Sequence, residues 1–232
     1  MMMDKGLSTN EAKDFIESAS IYTDIVKLGF GTSIVSTNTE EKIKLYQQAG
    51  MKVYLGGTLF ESFIIRGMYK EYQELLKKWD LQMCEVSDGC INIEHEKKCE
   101  YIHDLSKKFC VVSEVGSKDE NTNLSTKEWC ELMSRELEAG SWKVISEARE
   151  GGNIGVFNKK GEVKSNLINT ILEKIPSKNI IWEAPKKEQQ VWFIKSIGAN
   201  VNLGNISYNE VIPLETLRIG LRGDTFFDYL KN

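Results

Sequence analysis

Proline and histidine are scarce in this chain, and long apolar runs are missing. Its 232 residues include three prolines and two histidines. The histidines, His95 and His103, fall in a polar, charged stretch with no partner at metal-ligand spacing, so neither zinc coordination nor histidine general-base chemistry is expected. No stretch of eighteen apolar residues occurs, which argues against a membrane-spanning helix. The start, Met-Met-Met-Asp, lacks the basic segment and apolar core of a secretory signal, so a soluble, cytoplasmic protein is expected. The five cysteines, Cys84, Cys90, Cys99, Cys110 and Cys130, are odd in number and form no CxxC pair. A disulfide framework or zinc ribbon is therefore not indicated, and Cys84 and Cys110, set in apolar runs, read as core residues. With 30 Lys and Arg against 34 Asp and Glu, the net charge of −4 provides no broad basic face for nucleic acid. Anion binding, where it occurs, has to be local.

What the chain does have is rhythm. Short apolar runs alternate with helix-length amphipathic stretches, placing strands near Met1–Asp4, Ile25–Leu28, Lys52–Tyr54, Gln82–Val86, Cys110–Glu114, Lys143–Glu147, Ile180–Glu183 and Asn200–Leu203. Helices fit between them, including Thr9–Ser18, Leu59–Trp79 with a break near Gly67, Glu94–Lys107, Thr126–Glu138 and Leu214–Leu221, with Thr9, Ser125 and Ser207 as N-caps. Eight alternations predict an α/β fold, a single (β/α)8 TIM barrel forming one domain over residues 1–232.

The ends of the apolar runs carry the chemistry. Glu85, Glu114, Glu147 and Glu183 each close a run and open a turn, which in a barrel places them together at the carboxyl ends of the strands. Lys5, Lys27 and Asn202 are expected at other strand ends, with Lys118 and Arg149 a few residues beyond. Carboxylate oxygens suit a hard divalent cation such as Mg2+, and Asp88 and Glu61 are candidates to join or orient such a site. The alternative for each acid is a solvated loop position. Two glycine turns, Gly29–Ser33 and Leu55-Gly56-Gly57-Thr58, offer backbone N–H groups to an oxyanion or phosphate. The string Asn202-Leu203-Gly204-Asn205 falls where barrels often bind phosphate. The charged stretch Glu94–Lys108 reads as a solvated helix face.

The strings DKGL (4–7), DIVKLGFGTS (24–33), GGTLFE (56–61), EVSDG (85–89), EVGSK (114–118), EARE (147–150), EAPKKEQQ (183–190), NVNLGNI (200–206) and LETLRIGLRGDT (214–225) together resemble the phosphosulfolactate synthase family over nearly the whole chain. Phe30 stands where Trp is more frequent in that family, and Ser117 where archaeal members carry Lys. The resemblance implies a barrel enzyme that adds sulfite to phosphoenolpyruvate with Mg2+ to give 2-phospho-3-sulfolactate through an enediolate-like intermediate, chemistry tied to coenzyme M or sulfolactate formation. It implies Lys118 as general acid, with Lys27 and Arg149 also catalytic. Lys5, Gly56, Gly57, Asn202 and Asn205 then bind substrate, and Glu114, Glu147, Glu183 and Asp88 supply the metal ligands. Its partners are the two small-molecule substrates, and a homo-oligomer is expected. Two other readings stay open: a Schiff-base aldolase using Lys27 or Lys118, and a barrel without catalysis that serves as a binding or assembly protein.

Overall fold

The structure, a computed structural model, describes residues 1–116, 124–148 and 151–227. Its strands are β1 (Met2–Asp4), β2 (Ile25–Leu28), β3 (Lys52–Leu55), β4 (Met83–Val86), β5 (Cys110–Val115), β6 (Lys143–Ser146) and β7 (Ile180–Glu183), followed by an eighth strand in two pieces, β8 (Leu203–Gly204) and β9 (Ile206–Ser207). Asn205 separates the pieces with a left-handed backbone, φ 57°. All ladders are parallel, in the orders β3-β2-β1-β9 and β4-β5-β6-β7-β8. The bent eighth strand belongs to both sheets, because β8 pairs with β7 while β9 pairs with β1. Across that joint the Met1 nitrogen donates to the Leu203 carbonyl at 2.7 Å. On the other side β3 and β4 run side by side, and the Gly57 N–H donates to the Glu85 carboxylate at 2.9 Å across the gap. The fold is α/β, a single (β/α)8 barrel.

The helices are α1 (Thr9–Ala19), α2 (Thr32–Val35), α3 (Thr39–Gln48), α4 (Gly57–Ile64), α5 (Tyr69–Lys78), α6 (His95–Ser106), α7 (Thr126–Glu138), α8 (Ser165–Lys174), α9 (Lys187–Ile197) and α10 (Val211–Arg218). Local chemistry fixes their ends. Ser8 with Glu11, and Ser125 with Glu128, form reciprocal capping boxes that satisfy the first free N–H groups of α1 and α7. The cap of α1 is thus Ser8, one residue before the expected Thr9. Gly67, at φ 69°, divides the expected Leu59–Trp79 helix into α4 and α5. The last helix begins at Val211 and ends at Arg218, three residues earlier at each end than its apolar pattern suggests.

Strand alternation sorts the side chains into layers. Val26, Leu28, Val53, Leu55, Cys84, Val86, Val111, Val144, Ile180 and Trp182 point outward into the main apolar core beneath the helices. Ile25, Tyr54, Met83, Val112, Ile145 and Ile181 point inward and form a separate apolar plug in the barrel. Two residues further on come Lys27, Glu85, Glu114 and Glu183 within their strands and Glu147 just past the end of β6, all buried. The plug therefore forms the floor of a polar cup at the carboxyl ends. Cys84 is buried as expected, and Cys110, at the start of β5, is half-buried.

The eighth strand corrects one expectation. It begins at Leu203 rather than Asn200, so Asn202 lies at its amino end. There the Asn202 amide donates to the carbonyls of Ile180, at 3.0 Å, and Lys178, at 3.3 Å. It lines a cavity of about 840 Å3 with Lys52, Lys143 and Ile25, residues that open their own strands, on the far side of the apolar plug from the acids.

Candidate active site

Lys27 stands at the centre of the cup. Its Nζ lies 3.1 Å from Glu85 Oε2 and 3.5 Å from both Glu114 Oε2 and Glu183 Oε1. Burial by itself would depress the ammonium pKa, but Glu85, Glu114 and Glu183 outweigh it and hold Lys27 well above its ordinary value. The charged form of Lys27 is thereby favoured. That state suits a counter-ion and opposes a Schiff-base nucleophile, which has to be neutral to attack.

Glu114, Glu147 and Glu183 each present one carboxylate oxygen within 4.8 Å of the other two, and all three side chains are buried. Desolvation, aided by Glu114 and opposed by Lys27, raises the Glu183 pKa to about 7. One Glu183 oxygen accepts the Ala148 N–H at 3.0 Å, while the other accepts no hydrogen bond among the described residues. Three oxygen donors converging on one point match the preference of Mg2+ for carboxylate and water ligands, so the residues present fit that ion.

Glu85 is different: it is held between Lys27 and the Gly57 N–H. That contact corrects the expected use of the second glycine turn. The Gly57 N–H is committed to Glu85, and the Gly56 N–H to the Leu28 carbonyl at 3.0 Å, so neither points at a ligand. A methyl group on Gly57 would overlap Ser87 Oγ and Glu85 Oε1, which is why glycine stands there. Glu61 accepts from Ser87 Oγ, from the Cys90 N–H at 2.7 Å and from the Gly89 N–H at 3.2 Å, shaping the turn after β4.

Asp88 is placed apart from the three converging acids. It pairs with Lys98 at 2.7 Å and lines a separate cavity of about 520 Å3 with His95, Lys98 and Glu136. Its expected part in the metal set is corrected, since the acids whose oxygens come together are Glu114, Glu147 and Glu183 without it. Lys5 is exposed on the β1–α1 turn, its ammonium 5.7 Å from the centre of the Phe30 ring. Asn205 follows β8, next to the Gly204 that pairs with Glu183, and its buried Oδ1 accepts no hydrogen bond among the described residues. Lys118 and Arg149 lie outside the described residues.

Sequence reasoning missed three charged residues inside the molecule. Lys98, expected on a solvated face, is buried and pairs with Asp88 and Glu136. Lys42 pairs with Asp4 at 2.7 Å, and Asp4 accepts the Gly6 and Leu7 N–H groups that form the turn carrying Lys5. The signal was present: Lys98 shares the buried face of α6 with Ile102 and Leu105, Glu136 that of α7 with Trp129, Cys130 and Met133, and Lys42 that of α3 with Ile43 and Tyr46.

Fold and site together define a (β/α)8-barrel enzyme with an acidic, oxygen-rich site at the carboxyl ends of its strands. The sequence matches the (2R)-phospho-3-sulfolactate synthase (ComA) family over residues 1–224. It is 40% identical to phosphosulfolactate synthase of Bacillus subtilis (strain 168) over 98% of this chain and 91% of that protein. It is 41% identical to phosphosulfolactate synthase of Methanocaldococcus jannaschii over 97% of this chain and 92% of that one. Among solved structures, 3-hexulose-6-phosphate synthase of Salmonella typhimurium superposes with a TM-score of 0.55 at 14% identity, covering 94% of this chain and 98% of that one. The 3-keto-L-gulonate-6-phosphate decarboxylase of Vibrio cholerae gives 0.53 at 9% identity, covering 94% and 96%, and both likenesses concern the barrel alone. The chain belongs to the phosphosulfolactate synthase family.

Proposed function

We propose that this chain joins sulfite to phosphoenolpyruvate with Mg2+, giving 2-phospho-3-sulfolactate. The observation that carries the reading is the convergence of Glu114, Glu147 and Glu183 at the barrel mouth in a chain of this family. Sulfite is already a nucleophile, so the protein supplies none. Its task is to hold two anions together and to stabilise the charge that moves during attack.

The sulfur lone pair forms a C–S bond to the methylene carbon of phosphoenolpyruvate, the double-bond pair moves toward the substrate carboxylate, and a proton then reaches the carbon bearing phosphate. Mg2+ held by Glu114, Glu147 and Glu183 would supply positive charge to that carboxylate. Lys27 keeps the acidic cup from repelling the substrates by setting a fixed ammonium among Glu85, Glu114 and Glu183. Lys118, in the EVGSK string, is assigned as proton donor, and Lys5, Arg149 and Asn205 as contacts to the substrate anions.

The test is phosphorus NMR of the protein with phosphoenolpyruvate, sulfite and Mg2+, repeated with EDTA and without sulfite. A new phosphomonoester resonance that needs both sulfite and metal is expected. Folded protein that leaves the spectrum unchanged would sink the proposal, and borohydride trapping of a carbonyl substrate would turn attention to the aldolase.

A further inference from the structure

Lys98 is fully buried on α6, and its ammonium meets three oxygens, two of them as hydrogen-bond acceptors and the third as an ion-pair partner. Nζ donates to the backbone carbonyl of Glu114 at 2.6 Å and to Asp88 Oδ1 at 2.7 Å, and it pairs with Glu136 Oε1 at 2.8 Å. These oxygens come from the end of β5, the turn after β4 and the last turn of the outer helix α7. The location has a structural cause. The β4–β5 ladder ends where Val86 meets Ser113, because the chain turns away at Ser87. One residue further on β5, the Glu114 carbonyl has passed the last rung, and a buried carbonyl needs a donor. Lys98 fills that need.

We infer that Lys98 is a positioning residue for the acidic site, clamping the main chain of Glu114 so that its carboxylate stays in register with Glu147 and Glu183. The inference rests on the reading of those three acids as the cation site. The same ammonium takes up Asp88 and so keeps a fourth carboxylate out of that set. Groups that orient a metal's ligating side chains commonly alter metal affinity about 10–100-fold when removed, and a clamp on the ligand's main chain is expected to act on the same scale.

The test compares wild type, Glu136→Gln, and Lys98→Met and Lys98→Gln each on the Glu136→Gln background, which avoids stranding an unpaired buried carboxylate. Mn2+ binding is followed by electron paramagnetic resonance without substrates, and amide exchange is followed at Glu147, whose N–H donates to Val115 in the adjoining ladder. Expected are near wild-type affinity for Glu136→Gln, a loss of about 10–100-fold with faster Glu147 exchange for the Met variant, and recovery of most of it for the Gln variant, which keeps a donor for Glu114. Wild-type Mn2+ affinity in the folded Met variant would overturn the inference, as would a Gln variant no better than Met. Absence of Mn2+ binding in wild type would overturn the cation-site reading instead. The exchange measurement would then decide the clamp alone, with unchanged Glu147 exchange counting against it.

Discussion

Glu183 is pulled in two directions, toward the neutral form by burial and Glu114 and toward the anion by Lys27. With its pKa raised to about 7 from an ordinary 4.5, the folded protein keeps a proton that the unfolded chain has already released over that interval. The folded state binds more protons there, so this group favours folding on the acid side and loses that contribution as pH rises through 7. Cation-free protein should therefore lose thermal stability between about pH 5.5 and about pH 8 more steeply than Glu183→Gln, which has nothing to titrate. Mg2+ at the proposed cation site would compete with the same proton, so a stabilising effect of Mg2+ that grows with pH is expected in wild type. Thermal melts of both proteins at the two pH values, with and without Mg2+, check this, and parallel curves would refute it.

At the level of elements, the strand ends could be read from the chain because an apolar run closed by Glu is a local pattern. The turns could not be read as surely. Gly56 and Gly57 look like a phosphate cradle in sequence, yet their N–H groups are used by Leu28 and Glu85 from other strands. Gly57→Ala should cost about 1–3 kcal/mol, because its methyl group drives into Ser87 and Glu85 where β3 and β4 meet. Urea denaturation measures the loss, and a cost near zero would mean that Glu85 has room to move. The charged residues on buried helix faces belong to the same lesson. Spacing puts Lys98 and Glu136 on inward faces, but only the packing of α6 against α7 makes them partners.

For the whole molecule, the direction of the barrel separates the two kinds of polar strand-end residue. Asn202 lies beyond the apolar plug, tied to Lys178 and Ile180, so Asn202→Ala should lower the melting temperature while leaving kcat/KM within about twofold of wild type. Steady-state kinetics beside a thermal melt tests this, and a large loss of kcat/KM with unchanged stability would put Asn202 back among the substrate contacts. The sequence by itself determined the eight alternations, the placement of the glutamates at the ends of apolar runs and the family resemblance, because each depends on residues close together along the chain. Only the tertiary structure decided that the eighth strand starts at Leu203, that Lys27 sits among three acids and that Lys98 anchors Glu114. Those outcomes depend on strand stagger and on pairings between distant residues, which no local pattern encodes.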